Sequence, residues 1–183
     1  MRLFLLALCS MLAAGSAAAQ PAGRAPQWYL DDIKTLSAEG GRWIADNSEY
    51  KSESEPFEAY GTEWKSGFDG DTMTGRLFGV KDGKELTFDF WEFRQYWRPD
   101  KQEAVVEQFG WGGALGLGVL RQDGVGTLSD QTFYNADGSV TRTGHKSHFP
   151  DKDTHVTESF DIVGDAWTPR RKYVWKRQPS DKK

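Results

Sequence analysis

Cysteine is almost absent from this chain. Cys9 is the single one in 183 residues, and it falls in a segment that reads as an export leader. Met1-Arg2 is a short positive start, Leu3 to Leu12 is an almost unbroken apolar run, and Ala17-Ala18-Ala19 offers small residues at a cleavage site. A charged start, an apolar centre and an A-x-A exit are the marks of a secretory signal peptide. Cleavage is expected after Ala19, with the mature protein periplasmic or secreted. That mature chain has no thiol, so its core has to hold without the disulfides that many small exported domains use. A lipoprotein needs a small residue before its cysteine, and Leu8 stands there.

Long hydrophobic runs are lacking too. The run up to Leu12 is far short of the roughly 20 residues of a membrane helix, which argues against an N-terminal anchor and for no stable membrane insertion after cleavage. Clustered positive charge is also scarce. Removing the leader takes one base, Arg2, from the 23 Lys and Arg and nothing from the 27 Asp and Glu, leaving a formal charge of −5. The charges are scattered, whereas nucleic-acid affinity rests on concentrated Lys and Arg; no nucleic-acid partner is expected. The exception is the basic end, Arg170-Arg171-Lys172, Lys176-Arg177 and Lys182-Lys183, read as a charged final strand and a frayed tail.

Catalytic motifs are missing. No Ser sits in G-x-S-x-G. The run from Gly110 to Gly118 lacks the G-x-G-x-x-G spacing and a following Lys-Ser/Thr, so its glycines are read as allowing a bend or a close backbone approach. Glu92, Glu103 and Glu107 could supply paired carboxylates, as any half-exposed strand can. His145 and His148 differ by three, so on a strand they point to opposite faces. His148 and His155 flank the turn at Pro150-Asp151 and could meet across a hairpin, with Asp151 or Asp153 beside them. Exposed turn histidines are the commoner reading, and no metal, haem or other cofactor is expected.

What is present is turn punctuation and aromatic bulk. Asp69-Gly70, Asp82-Gly83, Asp123-Gly124 and Asp137-Gly138 are hairpin signals, because both turn positions must tolerate positive φ. Pro99-Asp100, Pro150-Asp151 and Gly164-Asp165 mark further turns. Between them lie segments rich in Thr, Val, Phe, Tyr and Trp, which suit a pleated surface. Strands are predicted near 42–50, 57–68, 72–81, 85–98, 103–111, 115–121, 127–134, 139–149, 154–163 and 167–177. Before them, Tyr29, Ile33 and Leu36 form one apolar stripe of a short helix, which Gly40-Gly41 ends.

About ten successive antiparallel strands hide their edges most economically by closing. The expectation is an all-β, up-and-down antiparallel barrel with one short N-terminal helix; a two-sheet sandwich is the alternative. The division is a leader over 1–19, a lead and helix over 20–35, a barrel over 36–178 and a disordered tail over 179–183. The strand at 85–98 carries a conflict. Leu86, Phe88 and Phe90 are apolar at even positions, while Trp91, Phe93 and Trp97 are apolar at odd ones. A bulge near Phe90-Trp91 reconciles them; otherwise both faces are covered.

Aromatics make up 14% of the chain, with eight Trp. Trp64, Trp91, Phe93, Tyr96, Trp97, Phe109, Trp111 and Tyr134 fall on predicted strands. They either fill the interior or line a cavity. If they line one, Arg94, Glu107 and Gln108 are candidate polar groups, with Arg94 or Tyr96 orienting a ligand's polar end.

Two features resemble the calycin superfamily of lipocalin-like barrels. Gly41-Arg42-Trp43 stands where those proteins carry Gly-x-Trp after a short N-terminal helix. The final strand, Arg171-Lys172-Tyr173-Val174-Trp175-Lys176-Arg177, ends in bases where that family places an Arg over the Trp. The domain also looks like bacterial exported lipocalin-like proteins of unknown function, most closely over Ser159 to Arg177. It departs from lipocalins in lacking cysteines, and from haem-binding nitrobindin-like barrels in having no matching His on its last strands. The resemblance implies that Trp43 stacks under Arg177 or Arg171 and closes one end. The function expected is binding of a small apolar or amphiphilic ligand. The alternatives are a small isomerase or lyase, with Glu107 and Arg94 as its pair, and a filled protein-interaction module.

Overall fold

The computed structural model describes residues 23–179; the expected leader, its cleavage after Ala19, and residues 180–183 of the tail lie outside them. Helix α1 (Gln27–Ser37) starts behind Pro26 and buries Tyr29, Ile33 and Leu36. A 3₁₀ turn, Ala38–Gly40, follows. Gly41 then adopts φ 66, and a Cβ there would stand 2.0 Å from the Trp64 carbonyl oxygen. Only glycine allows the helix to turn so closely against the wall.

Ten strands follow: β1 (Arg42–Asp46), β2 (Ala59–Gly67), β3 (Thr72–Lys81), β4 (Lys84–Arg98), β5 (Glu103–Gly110), β6 (Leu115–Asp123), β7 (Gly126–Tyr134), β8 (Val140–Asp151), β9 (Thr154–Val163) and β10 (Ala166–Arg177). Each pairs antiparallel with its neighbours, and β1 pairs with β10, so the sheet is a closed up-and-down barrel. β1 is shorter than its sequence suggests. Past Asp46 the chain leaves the wall, and Tyr50 N–H donates to the Asn47 carbonyl in a turn. At Asp82-Gly83 both residues have positive φ, 53 and 69, as a two-residue hairpin requires.

The conflict in β4 is resolved by its register. Leu77 of β3 pairs with Trp91, but the next residue, Phe78, pairs with Asp89. Phe90 is therefore an extra residue, and the phase of the strand changes there. Phe90 and Trp91 both line the interior, with Phe93 and Gln95 continuing inward.

One end of the barrel is sealed by α1. Ile33 and Leu36 join Trp43, Trp64, Met73, Ala104, Val106, Leu120 and Trp175 in one buried cluster. Trp43 Nε1 donates to the Leu36 carbonyl at 2.9 Å. Arg177 lies 4.1 Å over the Trp43 ring and donates to the carbonyls of Ala38 and Thr35 at 2.8 and 3.0 Å. One guanidinium thus satisfies helix C-terminal carbonyls and stacks on an indole, a contact worth about 0.5–2 kcal/mol. Arg171, midway along β10, pairs with Glu55 instead and takes no part. No helix among the described residues is long and apolar enough to cross a membrane.

Candidate ligand-binding cavity

Above the sealed end the barrel is hollow. The cavity holds about 480 Å³, within the size range of small-molecule sites. Its two walls differ. On β2 to β4 it is mainly aromatic and aliphatic: Tyr60, Trp64, Leu77, Phe90, Trp91 and Phe93. Trp64 lies flat against β3 because Gly75 has no side chain; a Cβ there would come within 2.3 Å of the indole. Phe93 packs on Trp64 with ring centroids 5.0 Å apart. Trp91 lies across Gly110 and meets Phe133 edge-on at 5.5 Å.

The facing wall, on β7 to β9, is polar: Thr127, Ser129, Gln131, His145, Ser147, His155, Thr157 and Ser159. Gln95 of β4 and Gln108 of β5 extend it. Some of these groups satisfy one another. Gln108 Nε2 donates to Gln131 Oε1 at 3.0 Å, Thr127 and Ser147 share a hydroxyl hydrogen bond, and Trp175 Nε1 donates to Thr157 Oγ1. Others are left over. Gln95 Oε1, Gln131 Nε2, His145 Nδ1 and His155 Nε2 are buried without a partner among the described residues. Gln131 is 1% exposed, Gln95 7% and His155 8%. A buried unsatisfied polar atom costs about 1–3 kcal/mol, so these four are groups for water or a ligand to meet. Burial keeps both imidazoles neutral. Helped by Arg170, it lowers His145 to about 4; helped by His148, it lowers His155 to about 3. His155 also stacks on Phe149 at 4.6 Å.

The glycine-rich run serves this wall. A Cβ at Gly116 would strike Phe133, and one at Gly118 would strike the backbone and Cγ of Gln131. Their absence lets β7 side chains lie close over β6, the close backbone approach expected of these glycines.

The open end is organised by Arg171. Its guanidinium donates two hydrogen bonds to Glu55, both at 2.6 Å. Tyr60 Oη donates to the same carboxylate at 2.7 Å, and Tyr173 Oη donates to Asn47 Oδ1 at 2.7 Å. The arginine hydrogen bonds hold Glu55 below the usual carboxylate range, while burial and then Glu55 itself push Tyr60 up. The segment between β1 and β2 is thereby tied across the mouth, and Arg171 carries no unbalanced charge.

Of the residues singled out from sequence as ligand contacts, Trp64, Trp91, Phe93 and the polar candidate Gln108 line this cavity. Arg94 and Tyr96 are on the outer face of β4, because the inward set after the bulge is odd-numbered. Arg94 is exposed, and Tyr96 Oη donates to Glu107 outside the barrel at 3.0 Å. The Arg94–Glu107 pair suggested for acid–base work is cross-strand and outward. Trp97 is below the cavity, packed near Tyr29. Phe109 and Tyr134 are exposed on outer faces, and Trp111 is 77% exposed in the turn after β5, where it lies against Phe88. A ligand's polar end inside the barrel meets the Gln, Ser, Thr and His residues of β4 to β9 instead. Among the described residues no three His, Cys, Asp or Glu gather as a metal site.

Most of the polar wall escapes sequence reasoning. On β7 the buried residues are Thr127, Ser129, Gln131 and Phe133, while Leu128 is on the other face. A hydrophobic-in rule picks the wrong phase there. No protein-family model and no curated protein matches the chain.

Proposed function

We propose that this protein is an exported binding protein that holds one small amphiphilic molecule inside its barrel. The observation that carries the reading is the hollow itself, with an aromatic wall opposite a polar wall that leaves Gln131 Nε2, His145 Nδ1 and His155 Nε2 without partners among the described residues. An apolar body gains roughly 25 cal/mol per Å² of buried area on the first wall, before the costs of association. A hydroxyl, carbonyl or amine on the same molecule satisfies groups on the second. The Arg177–Trp43 stack supports kinship with the calycin barrels, and the leader at 1–19 supports export to the periplasm or beyond.

Native mass spectrometry of the protein purified from its producing cells tests the reading. An added mass of the order of a few hundred daltons, in keeping with a cavity of this class, is expected. A Ser129→Phe variant, which fills the hollow from the polar wall, is expected to lose that mass while keeping its β-type circular dichroism. Ligand-free native protein whose Trp fluorescence ignores a panel of fatty acids, alcohols, amines and aromatic acids would overturn it.

A further inference from the structure

Helix α1 breaks its own amphipathic pattern at one position. Asp32 is three residues after Tyr29 and four before Leu36, on the stripe that faces the barrel. It lines the cavity floor beside Leu36. It also lines a smaller hollow of about 220 Å³ between α1 and the β6–β7 turn, walled by Trp28, Val125 and Phe149. An acid on the buried stripe of a helix is costly unless something compensates it.

Nothing among the described residues does. Among the described residues no hydrogen bond or ion pair reaches the Asp32 carboxylate. The cation that serves this end, Arg177, is engaged by Trp43, Asp153 and the carbonyls of Thr35, Ala38 and Lys152. Lys34 is on the exposed side of the helix. The other charged side chain lining the cavity, Arg171, is matched by Glu55 at the mouth. The cavity therefore carries one uncompensated carboxyl, on its floor. A second acceptor belongs to the same end. Gln95 is on β4 between Phe93 and Trp97, pairing with Met73 and Val106 of the sealed core, and its Oε1 has no partner.

We infer that the ligand is an amphiphilic amine, its ammonium group held at Asp32 with Gln95 Oε1 as a further acceptor, and its apolar body laid along Trp64 and Phe93. An ammonium has three donors and no acceptor, which suits a floor of leftover acceptors, and aromatic faces tolerate a cation nearby. Burial also raises the Asp32 carboxyl to about 7, as expected of a site built without its counter-charge. This inference rests on the binding reading above but is narrower than it.

The test is calorimetry on the full mature chain with three probes of one skeleton: tryptamine, tryptophol and indole-3-acetate. Tryptamine is expected to bind at least tenfold more tightly than tryptophol, with indole-3-acetate weakest. Asp32→Asn is expected to bring tryptamine down to the affinity of tryptophol and leave tryptophol unchanged. Asp31→Asn, on the exposed side of the same helix, is expected to change neither. Equal binding of tryptamine and tryptophol by the native protein would overturn the amine assignment and leave the amphiphile reading standing. So would an amine preference that survives Asp32→Asn. Failure of all three probes to bind would overturn both.

Discussion

The two walls of the cavity are built on opposite terms. The aromatic wall, β2 to β4, follows the alternation that makes a sheet stable on either side of the β4 bulge: what faces inward is mostly apolar, Thr62 and Gln95 excepted, and its rings lie against glycines or one another. The polar wall, β7 to β9, turns hydroxyls, amides and imidazoles inward and leaves several without partners. The first wall stabilises the fold whether or not anything is bound. The second costs stability wherever its buried polar atoms are met by neither water nor the proposed ligand. A filled core has no use for such an arrangement.

The contrast is broken most severely on the aromatic side. Trp64→Ala removes the ring that spans Gly75 and Phe93, and a loss of about 3–5 kcal/mol is expected from the cavity it leaves, read as a lower urea midpoint. On the polar side the effect depends on pH. His155 is held neutral in the fold, at about 3 against an ordinary 6.5. The unfolded chain therefore binds more protons below pH 6.5, and the stability from this group, whole above that value, drains as pH falls towards 3. His145 acts in the same direction. Asp32, raised to about 7, acts oppositely: its folded form keeps a proton that the unfolded chain gives up above about pH 4. Two groups against one make stability rise with pH from 4 to 6.5. His155→Phe, which preserves a ring against Phe149, is expected to gain about 2 kcal/mol at pH 4.5 relative to its effect at pH 7.5. Thermal melts at the two pH values check it.

Smaller effects sharpen the same distinction. Gln95→Leu replaces a buried acceptor without a partner by a side chain of similar size. A gain of about 1 kcal/mol in the empty protein is expected, together with weaker ligand binding by calorimetry. A loss of stability instead would mean that the carbonyl is satisfied in the free protein. Arg94→Ala, on the outer face, is expected to stay within about 0.5 kcal/mol of the parent and to leave ligand affinity alone.

The barrel was legible because its signals are local. Asp-Gly turns and alternating segments recur from Asp69 to Asp165, and closure follows from having many strands and nowhere to put an edge. Even the β4 bulge was announced by apolar residues changing parity at Phe90-Trp91. The floor and the polar wall were not legible, for a physical reason. Pattern reasoning assigns inward positions by hydrophobicity, and Asp32, Gln95, Gln131 and Ser129 face inward against it. Arg94 and Tyr96 were drawn into the site by proximity in sequence to Trp91 and Phe93, although adjacent strand residues point to opposite faces.

The seam between β1 and β10 joins only three residue pairs, Trp43 to Arg177, Ile44 to Lys176 and Ala45 to Trp175, and these partners are the most distant in the chain. Bringing them together carries the largest loop-closure entropy of any strand pairing here. One of the three β10 residues, Arg177, also carries the guanidinium that fastens α1 in place. A chain still lacking residues 166–183 has nine strands and a helix but no vessel, since neither the ring nor its base can be completed. The enclosed hollow thus arrives all at once, with β10.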